Sequence, residues 1–122
     1  MSTNLSRILP PENIVLDLDV SSKNRVFEQA GLIFENNCGI PRSLVTENLL
    51  ARESMGSTEL GYGVAVPHGR IEGLKIPYAA FVRLSTPIAF GSPDGKPVNL
   101  LFFLLIPHSG SLLICFPSGG EA

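Results

Sequence analysis

With 122 residues, 44% of them hydrophobic, the chain can build one core, so a single domain spanning residues 1–122 is expected. A formal net charge of −2 supplies no basic footprint and excludes nucleic acid as an expected partner. The amino terminus MSTNLSRILPPE is polar, and Leu100–Pro107, the longest apolar stretch, is far too short for a bilayer span; a cytoplasmic protein without membrane insertion is expected.

Pro10 and Pro11 argue against helix at the start of the chain. Ile14–Asp19 alternates toward its end and reads as a first strand. Ser21 and Ser22 offer N-caps for a helix from Lys23 to Asn37. In it Val26, Phe27, Ala30, Ile33 and Phe34 recur at helical spacing. Gly39 stands where a C-terminal cap belongs. Cys38 and Cys115 form no CxxC and read as thiols in a reducing compartment. Pro41 opens a second helix, with Ser43 as a competing cap; Arg52 falls in its last turn and Met55-Gly56 closes it.

Gly56–Gly63 reads as a loop and Val64–Val66 as a short strand ending at Pro67, which places His68 on a loop. Arg70, Glu72 and Lys75 decorate a polar connection that Pro77 ends. Tyr78–Leu84 is a strand with Tyr78, Ala80, Val82 and Leu84 on one side and Phe81 and Arg83 on the other. Thr86–Phe90 is short and extended, Gly91–Pro97 a turn, and Val98–Ile106 an apolar run suited to a central strand buried on both faces. The order β-α-α-β-β-β predicts an α/β domain with a mixed sheet.

The chemistry concentrates in Ala51–Arg70, ARESMGSTELGYGVAVPHGR. Pro67 fixes its own φ and holds Val66 extended, so the backbone feeding His68 has little freedom. Gly69 lets another surface approach the ring. An aimed imidazole serves as base, metal ligand or nucleophile. A metal is the weakest of these readings, because the only other histidine is His108 and no Cys or carboxylate sits at ligand spacing; a serine triad lacks its G-x-S-x-G elbow. A nucleophilic histidine carrying a phosphoryl group needs cations, hydroxyls or backbone N–H groups for the oxygens. Arg52, Ser57, Thr58 and the glycine-flanked backbone at Gly56 are of those types. On composition alone, Arg52 is an ordinary helix-end cation and Ser57 and Thr58 are turn residues.

The run from Arg52 through Gly56-Ser57-Thr58, Gly61 and Gly63 to Pro67-His68-Gly69 resembles the signature of the IIA proteins of the fructose/mannitol class in the bacterial phosphotransferase system. It is most similar to the nitrogen-regulatory members. The likeness extends from about Leu5 to Pro107. It implies a twisted mixed sheet with helices on both faces, and His68 as phosphoryl acceptor of the tele-phosphohistidine type. Arg52 is then the arginine beside the phosphate. Placed between Arg52 and His68, Ser57 and Thr58 are candidates for contacts to phosphate oxygens or for orienting the imidazole, and Gly56, Pro67 and Gly69 are positioning residues. The implied donor is an HPr-like carrier, which binds an apolar-rimmed surface that Arg70 joins. The implied receivers are regulatory targets, including potassium transport and nitrogen-linked regulators, or a IIB domain of sugar uptake; a third reading is a truncated relative that acts only by binding. No metal or organic cofactor is implied.

After Pro107 the chain reads HSGSLLICFPSGGEA and departs from the family, whose second histidine lies further along; that role is not carried to His108. The closing helices are expected to be absent, leaving an apolar sheet face that either is covered in a homo-oligomer or marks a compromised relative.

Overall fold

A computed structural model describes residues 8–91 and 95–107. His108, Cys115 and everything else beyond Pro107 lie outside the described residues, as do 92–94 of the expected turn and residues 1–7. After a 3-10 turn at Pro11–Asn13 come β1 (Ile14–Leu18), α1 (Lys23–Cys38) and α2 (Arg42–Glu53). Then follow β2 (Glu59–Gly61), β3 (Val64–Ala65), β4 (His68–Ile71), β5 (Tyr78–Ile88) and β6 (Val98–Pro107).

Local chemistry starts and stops the helices much as the sequence predicts. The Ser22 hydroxyl accepts the Arg25 N–H at 3.2 Å, and Gly39 takes a left-handed conformation, φ 75°, at the end of α1. Ser43 does not cap α2. The N-cap position is Pro41, without a side-chain bond, and the Arg42 N–H instead donates to Glu35 of α1 at 3.2 Å. The neighbouring helix supplies the missing acceptor, which no local pattern encodes.

Strand β6 lies in the middle of a mixed sheet. It pairs antiparallel with β5 on one side, and parallel with both β3 and β4, end to end, on the other. Strand β1 runs parallel to β5 at one edge, and β2 antiparallel to β3 at the opposite edge. The expected strand at Tyr78 continues to Ile88, through Pro87. The β5–β6 register is irregular between Arg83 and Ile88, where a residue without an N–H is tolerated. Two strands fall where none was expected. Strand β2 lies inside the anticipated loop, and β4 begins at His68 itself. Pieces of three and four residues are too short to show a period; the free edge of long β6 recruits β4, and β2 adds to β3, which itself pairs with β6.

Both described helices pack on one face of the sheet. Val26, Phe27, Ala30 and Phe34 of α1, with Val45 and Leu49 of α2, meet Ala80, Val82 and Leu84 of β5 and Leu101, Phe103 and Leu105 of β6. Phe27 is fully buried, edge-on to Phe103 at 5.7 Å and tilted against Phe90 at 6.1 Å. On the opposite face, Ala79, Leu104 and Ile106 are buried with Ile8, Leu9 and Phe102 against them. Strand β6 is thus apolar on both faces, as its composition predicts.

Candidate active site

The site grows from Val66-Pro67, between β3 and β4. The Val66 N–H donates to the Thr58 carbonyl at 3.0 Å, and the Pro67 carbonyl accepts from the Leu104 N–H of β6 at 3.0 Å. The dipeptide is held from both sides. Strand β4 follows in register with β6, His68 opposite Leu104 and Gly69 opposite Leu105. Gly69 and Ile71 are buried on the helix side, so alternation turns His68 and Arg70 to the other face. His68 stands there in a row with Leu104 and Ala79. His68 therefore sits on a strand, not a loop, and its direction is set by the sheet.

Gly69 is required by close approach. A Cβ there would lie 3.2 Å from Asn48 Cβ and 3.3 Å from the Asn48 carbonyl carbon, so β4 runs directly under α2. Arg52 lies one turn beyond Asn48 on the same helical face.

The half-buried imidazole has one clear partner: Nδ1 lies 3.0 Å from the Val66 carbonyl oxygen. A carbonyl only accepts, so the neutral ring carries its proton on Nδ1 and its lone pair on Nε2. In the preceding loop, Arg52 Nη1 donates to the Gly56 carbonyl at 3.0 Å, and Gly56 has φ 148°. Ser57 Oγ accepts the Glu59 N–H at 3.1 Å. Thr58 departs from the expected outward role: it is 6% exposed, and its hydroxyl donates to Glu53 Oε1 at 2.8 Å. Its N–H donates to Glu53 Oε2 at 3.2 Å. Arg52, Gly56 and Ser57 thus share one loop corner, while Thr58 turns into the protein.

Sequence reasoning passed over Glu53 and Lys23. Glu53 is 8% exposed at the carboxyl end of α2, and Lys23 Nζ approaches its Oε2 to 2.9 Å. Lys23 also donates to the Phe90 carbonyl at 2.9 Å and lies 4.2 Å from the Phe90 ring centroid. The usable signal was charge placement. An acid in the last turn and a cation in the first both oppose the helix dipole, which is tolerated when each finds the other. Among the described residues no three His, Cys, Asp or Glu side chains gather as a metal set, and no helix is long and apolar enough to cross a membrane.

By likeness to known proteins, this mixed α/β domain falls in the phosphotransferase-system class. Residues 7–115 match the family described as phosphoenolpyruvate-dependent sugar phosphotransferase system, EIIA 2, and the chain belongs to that family. The match runs past Pro107, where the sequence likeness was expected to stop. The nitrogen regulatory protein of Pseudomonas aeruginosa is 40% identical over 108 residues, covering 88% of this chain and 70% of that protein. The crystal structure of nitrogen regulatory protein IIA-Ntr from Neisseria meningitidis superposes with a TM-score of 0.82 at 50% identity, over 87% of this chain and 73% of that one. Enzyme IIAMTL of Escherichia coli, solved in complex with phosphorylated enzyme IIBMTL, shares the fold. Its TM-score is 0.68 at 21% identity, over 80% of this chain and 69% of that chain.

Proposed function

We propose that the chain is a cytoplasmic phosphocarrier in which His68 accepts a phosphoryl group from a phosphohistidine on an HPr-like protein, and that its phosphorylation state regulates partner proteins. One observation carries this reading: the Nδ1 contact with the Val66 carbonyl, which leaves the Nε2 lone pair as nucleophile. The Nε2 pair forms the new N–P bond while the donor's N–P bond breaks and its electron pair returns to the donor nitrogen. No proton need leave Nδ1, whose hydrogen bond to Val66 steadies the positive charge that the ring acquires. The protein contributes position and charge. Arg52 supplies a cation, and the Gly56-Ser57 corner supplies polar groups for the phosphoryl oxygens. Pro67 and Gly69 set the backbone. The likeness to nitrogen regulatory proteins favours regulation over sugar uptake.

The test is intact mass after incubation with phosphoenolpyruvate, enzyme I and HPr. Wild type should gain one acid-labile phosphoryl group, and His68→Ala none. Equal labelling of the two proteins refutes the assignment. Onward passage to a IIB domain would move the chain to the sugar branch.

A further inference from the structure

Thr58, a candidate from the sequence for phosphate contact or for orienting the imidazole, is bonded to Glu53, and following its bonds leads back to the imidazole. Glu53 Oε1 takes the Thr58 hydroxyl at 2.8 Å; Oε2 takes the Thr58 N–H at 3.2 Å and Lys23 at 2.9 Å. Thr58 is therefore gripped at two points by one carboxylate, which directs its carbonyl to the Val66 N–H at 3.0 Å. The carbonyl of the same Val66 meets His68 Nδ1 at 3.0 Å. The far end is anchored too, because Lys23 is tied to the Phe90 carbonyl and stands over the Phe90 ring.

We propose that Glu53 is a positioning residue for His68, acting through Thr58 and the two peptide groups of Val66. This rests on His68 being the phosphoacceptor. Stabilisation alone is a poor account of the arrangement. Desolvating a carboxylate and an ammonium offsets most of what their attraction returns, so a buried ion pair adds little net stability over apolar side chains. What an apolar pair cannot do is fix a carbonyl's direction. Each link constrains the next: the carboxylate fixes Thr58, Thr58 fixes Val66, and the Val66 carbonyl selects the ring tautomer and holds Nε2 in line. The Pro67 bond to Leu104 sets the other side of the dipeptide, so Thr58 governs the side that β6 does not hold. A nucleophile displaced by about 1 Å reacts on the order of a hundredfold more slowly, which makes such a chain consequential.

Four full-length proteins separate the roles: wild type, Thr58→Ser, Thr58→Val and Glu53→Gln. Each is read by long-range nitrogen–proton spectra of the His68 ring at a pH where it is neutral, and by single-turnover phosphoryl transfer from phospho-HPr. Wild type and Thr58→Ser should show the Nδ1–H tautomer and equal rates. Thr58→Val removes only the hydroxyl, and Glu53→Gln sets an amide N–H against the Thr58 donors. Both should move the ring signals toward the mixture of an unrestrained imidazole and slow transfer by about tenfold, a partial loss of alignment. Wild-type ring signals in Thr58→Val, in a sample with native circular dichroism, overturn the proposal even if Glu53→Gln does not fold. If the ring signals move as expected but wild type accepts no phosphoryl group, the positioning role stands and the phosphocarrier reading fails.

Discussion

Substituting Gly69→Ala tests whether the spacing between β4 and α2 is set by the missing side chain. The new Cβ would sit 3.2 Å from Asn48 Cβ, 3.3 Å from its carbonyl carbon and 3.4 Å from its oxygen. Carbon atoms rest at about 3.5–4.0 Å, so the two carbon contacts are each too short by a few tenths of an ångström, whereas the oxygen is in ordinary contact. One of the two obstacles is helix backbone and the other the Cβ fixed to it, and neither can rotate away as a side-chain tip would. Helix α2 must retreat, loosening Val45 and Leu49, both fully buried in the core. Overpacking of this kind costs about 1–3 kcal/mol, and alanine recovers about 0.5–1 kcal/mol by restricting the unfolded chain. The net expectation is a loss of up to about 2.5 kcal/mol in urea unfolding followed by far-ultraviolet circular dichroism. Arg52 lies one turn from Asn48, so phosphoryl transfer should slow as well. Stability equal to or above wild type, with amide shifts along Asn48–Arg52 unchanged, would refute the steric argument.

Phe27→Ala removes a fully buried ring that touches both Phe90 and Phe103, and should cost about 3–5 kcal/mol in the same urea assay; a loss under 1 kcal/mol would mean the site collapses freely. Arg52→Ala should slow transfer from phospho-HPr by about tenfold to a hundredfold while leaving the urea midpoint nearly unchanged, since its bond is to an exposed loop carbonyl. An unchanged rate would remove Arg52 from the site. Burial pushes the Cys38 thiol up; the Asn13 amide pulls it down and Glu12 adds to the rise. Folding therefore favours the protonated thiol, a contribution present below the ordinary thiol range and lost as pH rises through the raised value. The alkylation rate of Cys38 against pH, in a Cys115→Ser background, should have its midpoint above that of free cysteine; a midpoint at or below it contradicts the burial argument.

How far the sequence reaches depends on the distance over which each feature is decided. Ser22 and Gly39 bound α1 by contacts within a turn, so they were legible, and the alternation in Tyr78–Leu84 names the side that meets the helices. The apolar run of β6 announces a strand covered on two faces, and the run around His68 points to a site once its likeness to the family signature is taken with the residue types. Two matters belonged to tertiary structure. Strands β2 and β4 are too short to carry a period; β4 exists because β6 offers an edge, and β2 because β3, paired to β6, offers the next one. Thr58 has the composition of an outward phosphate contact, yet its partner is Glu53 on the preceding helix, paired with Lys23 of another helix, which in turn is tied to the Phe90 carbonyl beyond β5. A hydroxyl's type is written in the chain, whereas which acceptor it meets is settled only when separate elements pack together. The sequence by itself pointed to a histidine held on a restricted backbone; the packed fold decided which ring nitrogen meets a carbonyl and which keeps its lone pair, because that choice rests on a carbonyl whose direction the surrounding elements hold.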